Sequence, residues 1–136
     1  MLQKLSLIDL VKGVKTKLEE KTDTPCYDEW PANESAPLYY IEAVNKLSAN
    51  TKTMFSDVCT ILIHIISEEE QKNVQAYSLI QRAEEALTED INLPEGFELI
   101  SQVSQGIISD KKDEDGEEHV VIVYDFKVSY GFKMKI

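Results

Sequence analysis

The chain has little of what small folds use as staples or as reactive groups. Only two cysteines occur, Cys26 and Cys59, far apart and without a C-x-x-C spacing, so neither a disulfide framework nor a structural zinc site is expected. Basic residues are scarce: 14 Lys plus Arg stand against 25 Asp plus Glu, for a formal net charge of -11. Affinity for a phosphate backbone needs cations that displace counterions, so this excess of acid argues against specific binding of nucleic acid. Long apolar runs are missing as well. The longest, Ile61 to Ile66, is interrupted by His64, and the opening residues lack the basic start, apolar run and small-residue cleavage site of a secretory leader. No membrane role is expected, and the setting in which the chain is made is a reducing cytoplasm. The familiar catalytic signatures are absent too: G-x-S-x-G, H-E-x-x-H, a P-loop and G-x-G-x-x-G do not occur.

What remains is 136 residues at 43% hydrophobic content, enough for one domain spanning residues 1 to 136 with a sizeable core. Leu7, Ile8, Val11, Val14 and Leu18 recur at helical spacing behind a Ser6/Asp9 cap, which predicts a first helix stopping near Glu20. The five lysines of the first 21 residues leave the rest of the chain to carry the whole acidic excess. Pro25 to Pro37 holds three prolines and predicts an irregular crossing anchored by Tyr27 and Trp30. Leu38 to Val44 reads as a strand, and Asn45 to Asn50 as the turn after it.

Thr51 to Ser67 is the longest strand-like stretch. Phe55, Cys59, Ile61, Ile63 and Ile65 share one parity and should meet the core, while Ser56, Thr60 and His64 share the other with Val58 and Leu62. Ser67 and Glu70 suggest a capping box for a second helix, with Glu68, Glu69 and Glu70 in its first turn. Val74, Tyr77, Ile80, Ala83 or Ala86, and Leu87 form its expected apolar stripe, ending before Pro94. Phe97 to Ile108 predicts a strand with Phe97, Leu99 and Val103 on one side and Gln102 and Ser104 on the other. Asp110 to Glu118 is a charged tip around Asp115-Gly116, and the strict alternation from Val120 to Tyr130 makes the last strand. The expected fold is α+β: an antiparallel sheet of about four strands with two helices packed on one face, in the order α-β-β-α-β-β.

Few groups invite chemistry. Asp110, Asp113, Asp115, Gly116 and Glu118 resemble a calcium loop in composition, but a glycine at its sixth position would put Lys111 first and Ile122 twelfth, where carboxylates are needed. A solvated hairpin tip with no metal is the reading. His64 and His119 are expected as ordinary sheet histidines, Cys59 as core, and Cys26 as a thiol without a basic neighbour to activate it. No cofactor and no catalytic residue is assigned, so the chain is read as a non-enzyme. The two longest strands, Thr51 to Ser67 and Glu117 to Phe132, exceed what a small sheet uses, and long hairpins of this kind commonly meet another chain.

With these features in place, the chain resembles the tail-completion proteins of long-tailed bacteriophages, also called tail terminators or tail-to-head joining proteins. The resemblance runs through the opening amphipathic helix, the passage from Tyr27 to Pro37 into Leu38-Tyr39-Tyr40-Ile41-Glu42, and the strand Cys59-Thr60-Ile61-Leu62-Ile63-His64-Ile65. It continues through the helix after Ser67 and ends with Asp113-Glu114-Asp115-Gly116 before His119 to Phe126. It implies a virion protein that forms a homo-hexameric ring at the head-proximal end of the tail tube. Its partners would be itself, the tail tube protein and the head connector protein, with DNA passing nearby without specific binding. On that footing Asp113, Glu114 and Asp115 are candidate lumen or interface residues, and Lys46, Asn50 and Lys52 a candidate assembly turn. A competing reading from composition is a small acidic inhibitor or DNA mimic that meets a basic partner. A mimic should gather its acids in one stripe, whereas these are divided among the helix start, the tip and the Asp28 to Glu34 loop.

Overall fold

The computed structural model describes residues 1–68 and 73–133. It contains α1 (Leu7–Thr22), β1 (Cys26–Tyr27), β2 (Leu38–Ser48), β3 (Met54–Ser67), α2 (Val74–Ala86), β4 (Glu98–Lys112) and β5 (Glu118–Phe132). The strands form one sheet in the order β1-β2-β3-β5-β4. All neighbours are antiparallel except β1 and β2, which run parallel. The expected α+β class and the two helices on one face hold. The expected four antiparallel strands become a five-stranded mixed sheet, because Cys26 and Tyr27 pair with Tyr39 and Tyr40 inside what reads as a proline-flanked loop. A two-residue strand has no periodicity to detect.

α1 begins as expected, with the Ser6 hydroxyl accepting from the Asp9 amide at 3.0 Å. It runs to Thr22, past Glu20, and Asp23 ends it in the left-handed region at φ 52°. The Thr22 hydroxyl donates to the Leu18 carbonyl at 2.6 Å and Arg82 donates to the Thr22 carbonyl, satisfying acceptors that a helix end leaves open. Leu10, Val14 and Leu18 carry the buried face, while Leu7 and Ile8, expected on it, are exposed. Gly13 sits where α1 meets the loop after α2, and a Cβ there would lie 2.8 Å from the Asn92 carbonyl oxygen. Gly13→Ala is therefore expected to destabilise by about 1 kcal/mol, since overpacking outweighs the ~1 kcal/mol helix-propensity gain. A denaturant midpoint above that of the parent protein would show the contact to be soft.

β3 and β5 pair along their whole length at the centre of the sheet. Cys59, Ile61, Ile63 and Ile65 from β3, and Val120, Ile122, Tyr124, Phe126 and Val128 from β5, face the helices and are buried. This parity is the one expected, except at Phe55, which lies beyond a bulge between Phe55 and Ser56 and is only half-buried outside the core, while Ser56 is buried. β4 departs from expectation. Bulges between Leu99 and Ser101, Ser104 and Gly106, and Ile107 and Ser109 reset its alternation. Gln102 consequently turns toward the helices, donating to the carbonyls of Leu87 and Glu89 and accepting from the Ile91 amide, and so closes the end of α2. Val103 points away, exposed.

α2 keeps Ile80, Ala83, Ala86 and Leu87 in its buried stripe but replaces Val74 and Tyr77, both exposed, with Ala76 and Leu79. Alanine adds little to a hydrophobic pattern, yet it lets the helix approach closely. Ser67, expected as the cap, is instead the last residue of β3, its hydroxyl pointing to the Glu118 carbonyl at 3.5 Å, and Asn73 is the residue that precedes the helix. Glu69 and Glu70 lie outside the described residues, and Glu68 instead bonds Gln75 through its amide and its carboxylate.

Candidate assembly surfaces

The pairing register places the two hairpin turns at opposite ends of the sheet. The β2–β3 turn follows Ser48 and lies beside the end of β5, where Met54 pairs with Phe132. The β4–β5 turn lies at the other end, where Ser67 pairs with Glu118. At about 3.4 Å per residue, β5 alone spans roughly 50 Å between them.

The β4–β5 tip is shorter than Asp110 to Glu118, since β4 continues to Lys112 and β5 starts at Glu118. Asp113 and Glu117 close it through a 2.7 Å backbone bond, and Gly116 adopts φ 89°, which a glycine takes without penalty. Asp113, Glu114 and Asp115 are all exposed. Carboxylate oxygens of Asp113, Asp115 and Glu117 come within 4.8 Å of one another, a set able to offer a cation one oxygen each. Burial and the neighbouring Asp115 charge push the Glu117 pKa up. One step inside the tip, burial raises Glu118 to about 7, helped by a hydrogen bond from its protonated carboxyl to Asp110 and by the Asp110 charge.

A group whose folded pKa is raised stabilises most below its unfolded value and loses that contribution as pH rises through the folded one. Glu118 should thus weaken the fold between about pH 4.5 and 7. His119, lowered by its burial and by His64, has the opposite sign: its contribution is present above 6.5 and lost as pH falls below that value. Glu118→Gln is expected to raise stability at pH 8 and to change it little at pH 4.5. Urea unfolding at the two pH values checks this, and an equal effect at both would contradict it.

At the other end, Asn50 and Lys52 do lie in the turn, and the Asn50 side chain accepts from the Ser56 amide at 3.0 Å. Lys46 does not. The expected turn from Asn45 to Asn50 is mostly strand, because β2 continues to Ser48 through a bulge between Ala43 and Asn45. Lys46 lies opposite Cys59, and its ammonium approaches the buried Asp57 carboxylate at 3.9 Å, with Lys4 at 3.5 Å on the other oxygen. It is a partner for a buried charge.

The face of the sheet turned away from the helices carries an aromatic cluster that sequence spacing did not reveal. Tyr40 stacks on His64 at 4.0 Å between ring centroids, and Trp30 meets Tyr40 edge-on at 5.1 Å. Trp30 is thus an anchor only in part, 58% exposed. His64 Nδ1 lies 2.9 Å from His119 Nε2, and His64 Nε2 lies 3.1 Å from Glu42 Oε1. The neutral assignment that satisfies all three has His119 donating to His64 and His64 donating to Glu42. The signal for this cluster was parity: Tyr40, Glu42, His64 and His119 all fall on the helix-free side of adjacent strands. The chain runs onward to the Trp30 ring, 6.4 Å from His119, which is no nucleophile. Burial pushes the Cys26 thiol up to about 12 and raises Cys59, so neither supplies a thiolate at neutral pH.

Beside this cluster, a groove of about 420 Å³ runs between the start of α1 (Leu7, Ile8, Val11), the segment Asp28 to Trp30, and β2 from Tyr40 to Ala43. The two sheet edges are also open. β1 covers β2 only at Tyr39 and Tyr40, and β4 has no outer neighbour among the described residues. Val44, Leu47, Ile100, Val103, Ile107 and Ile108 stand exposed along these edges. The described residues therefore offer a groove and two open sheet edges as surfaces for contact.

The comparisons with known proteins agree with this character. No curated protein matches the chain. Among solved structures, a chain of the virion of a native gene transfer agent particle superposes with a TM-score of 0.67 at 18% identity, covering 89% of this chain and 95% of that one. At that identity the match establishes a shared fold. A family profile described as "Putative tail termination protein" matches residues 1–136, so the chain belongs to the phage tail terminator family, a structural protein of phage tails.

Proposed function

We propose that this protein forms a ring at the head-proximal end of the phage tail tube, ending tube growth and joining the tube to the head connector. Family membership over the whole chain supports the reading, and the observation that carries its geometry is the placement of the two hairpin turns at opposite ends of one long sheet. A subunit built this way meets the tube with one end and the connector with the other, leaving its flanks for its neighbours. In this reading six copies enclose a lumen, with Asp113, Glu114 and Asp115 at the tip facing the bore or an interface, and Asn50 and Lys52 in the turn at the far end. DNA passes without adhering, since an acidic wall repels a polyanion. At -11 per copy the subunits repel one another, so the ring closes on its partners more readily than alone. No reaction is assigned, and no cofactor is needed.

Electron microscopy of tails assembled with and without the protein tests the proposal. Its omission should give tails of irregular length that fail to join heads, and its restoration should give a ring at one end of each tail. Tails of uniform length joined to heads in its absence would sink the reading.

A further inference from the structure

The geometry points to a sheet-to-sheet contact between copies: the open edge of β4 in one copy pairs antiparallel with the open edge of β2, from Ile41 to Ser48, in the next. This rests on the ring reading and says how the ring is closed.

Direction comes first. β2 is antiparallel to β3, β3 to β5 and β5 to β4, so β4 runs opposite to β2 within one subunit. Neighbours related by rotation about an axis near the strand direction keep that sense, and the sheet continues across the boundary as an antiparallel pair. Because the two edges differ, the contact is head-to-tail, the type that closes rings. Register comes next. Following the pairs across the sheet, Ile41 lies level with Ile107, Asn45 with Val103, and Leu47 with Ser101. An unstaggered junction thus brings Ile107, 56% exposed and on the helix side, to the apolar groove beside Ile41. It also brings Val103 to the side that carries Leu47.

The character of the facing side chains selects the occupant. Asp28, Glu29 and Glu42 rim the β2 groove. Lys111, which follows Ile107 and Ile108, lies on the same helix-free side as Glu42, while Asp110 pairs with Val120 on the opposite side. A second copy's β4 accordingly brings apolar side chains to the groove, while its Lys111 falls level with Leu38, beside Trp30 at one end of the groove, and Glu42 falls level with Gly106. Bulges and charges such as Lys111 and Lys112 protect one end of the β4 edge, but Ile100, Val103, Ile107 and Ile108 on β4 and Val44 and Leu47 on β2 stand exposed along the rest.

The test is cysteine cross-linking of the full chain. Asn45→Cys is combined in turn with Ser101→Cys, Val103→Cys or Gln105→Cys, all surface strand positions, with the two native thiols buried and out of reach. Oxidation is run at high protein concentration and high salt, which screens repulsion between copies. At least one combination should give a ladder of covalent oligomers on a denaturing gel, while each single variant gives none. Ile107→Lys added to the reactive pair should cut the yield at least tenfold while circular dichroism stays unchanged.

Self-linking of Val103→Cys alone would mean a symmetric β4–β4 contact and would overturn the inference. So would the absence of a ladder from every combination. If microscopy still shows a ring at the tail end in that case, the ring stands and another surface, or a strand of the tube protein in the β2 groove, closes it. A ladder that grows into open filaments, with no ring on tails, would keep the edge pairing and remove the ring.

Discussion

Replacing Tyr39 by alanine is expected to cost about 3–5 kcal/mol, a large part of the ~5–15 kcal/mol by which a domain is stable. Tyr39 is fully buried, and its hydroxyl donates to the Leu79 carbonyl of α2 at 2.7 Å. Its amide donates to the Pro25 carbonyl at 2.9 Å. The side chain therefore joins the sheet to α2, while its backbone holds the entry to β1. Tyr39→Phe removes the hydroxyl alone and should cost about 1 kcal/mol, the usual net worth of a neutral hydrogen bond. Burial also pushes the phenol up to about 12. With the folded pKa above the unfolded value near 10, its contribution is complete below pH 10 and disappears as pH rises through 12. The phenylalanine variant should lose part of the alkaline unfolding arm. Urea midpoints at pH 7 and 11 measure both effects, and an alanine variant within 1 kcal/mol of the parent would show that the core closes around the gap.

Reversal of Asp113, Glu114 and Asp115 to lysine is expected to leave the fold nearly intact and to change how DNA leaves the particle. All three are exposed. The Asp115 carboxylate accepts from the Glu117 amide at 3.3 Å, a bond worth at most about 1 kcal/mol. Against that loss, the reversal relieves the convergence of Asp113, Asp115 and Glu117 within 4.8 Å, so the net stability change should fall within about 1 kcal/mol. If the tip faces the bore, as proposed, three new cations per copy meet the phosphate backbone. Ejection should slow, and a salt-sensitive DNA affinity should appear. Normal assembly with unchanged ejection would place the tip away from the lumen. Failed assembly with a folded monomer would place it at an interface with a neighbour or the connector.

The two experiments probe different parts of the molecule for a physical reason. The core residue gains its effect from area removed from water and from a bond that cannot be replaced by solvent. The tip residues have neither, so their effect depends on what stands opposite them in the assembled tail.

The same distinction separates what the sequence determined by itself from what the tertiary structure decided. The α1 cap at Ser6, the parities of β3 and β5 and the Asp115-Gly116 turn follow from neighbours close along the chain, through local hydrogen bonds, alternation and glycine's backbone freedom. Each was legible in the sequence, as was the α+β class. β1 was not, because two residues become a strand only when β2 offers them an edge. Nor was the inward turn of Gln102, since a bulge is set by pairing with β5 and by the open carbonyls at the end of α2. Lys46 reads as a turn residue until the buried Asp57 from the adjoining strand gives it a partner. The Glu42–His64–His119 chain joins residues on three strands, and only register brings their rings and carboxylate within 3.1 Å. Long-range pairing therefore decided the candidate surfaces: which edges stay open, which turns share an end of the sheet, and which side chains stand beside one another.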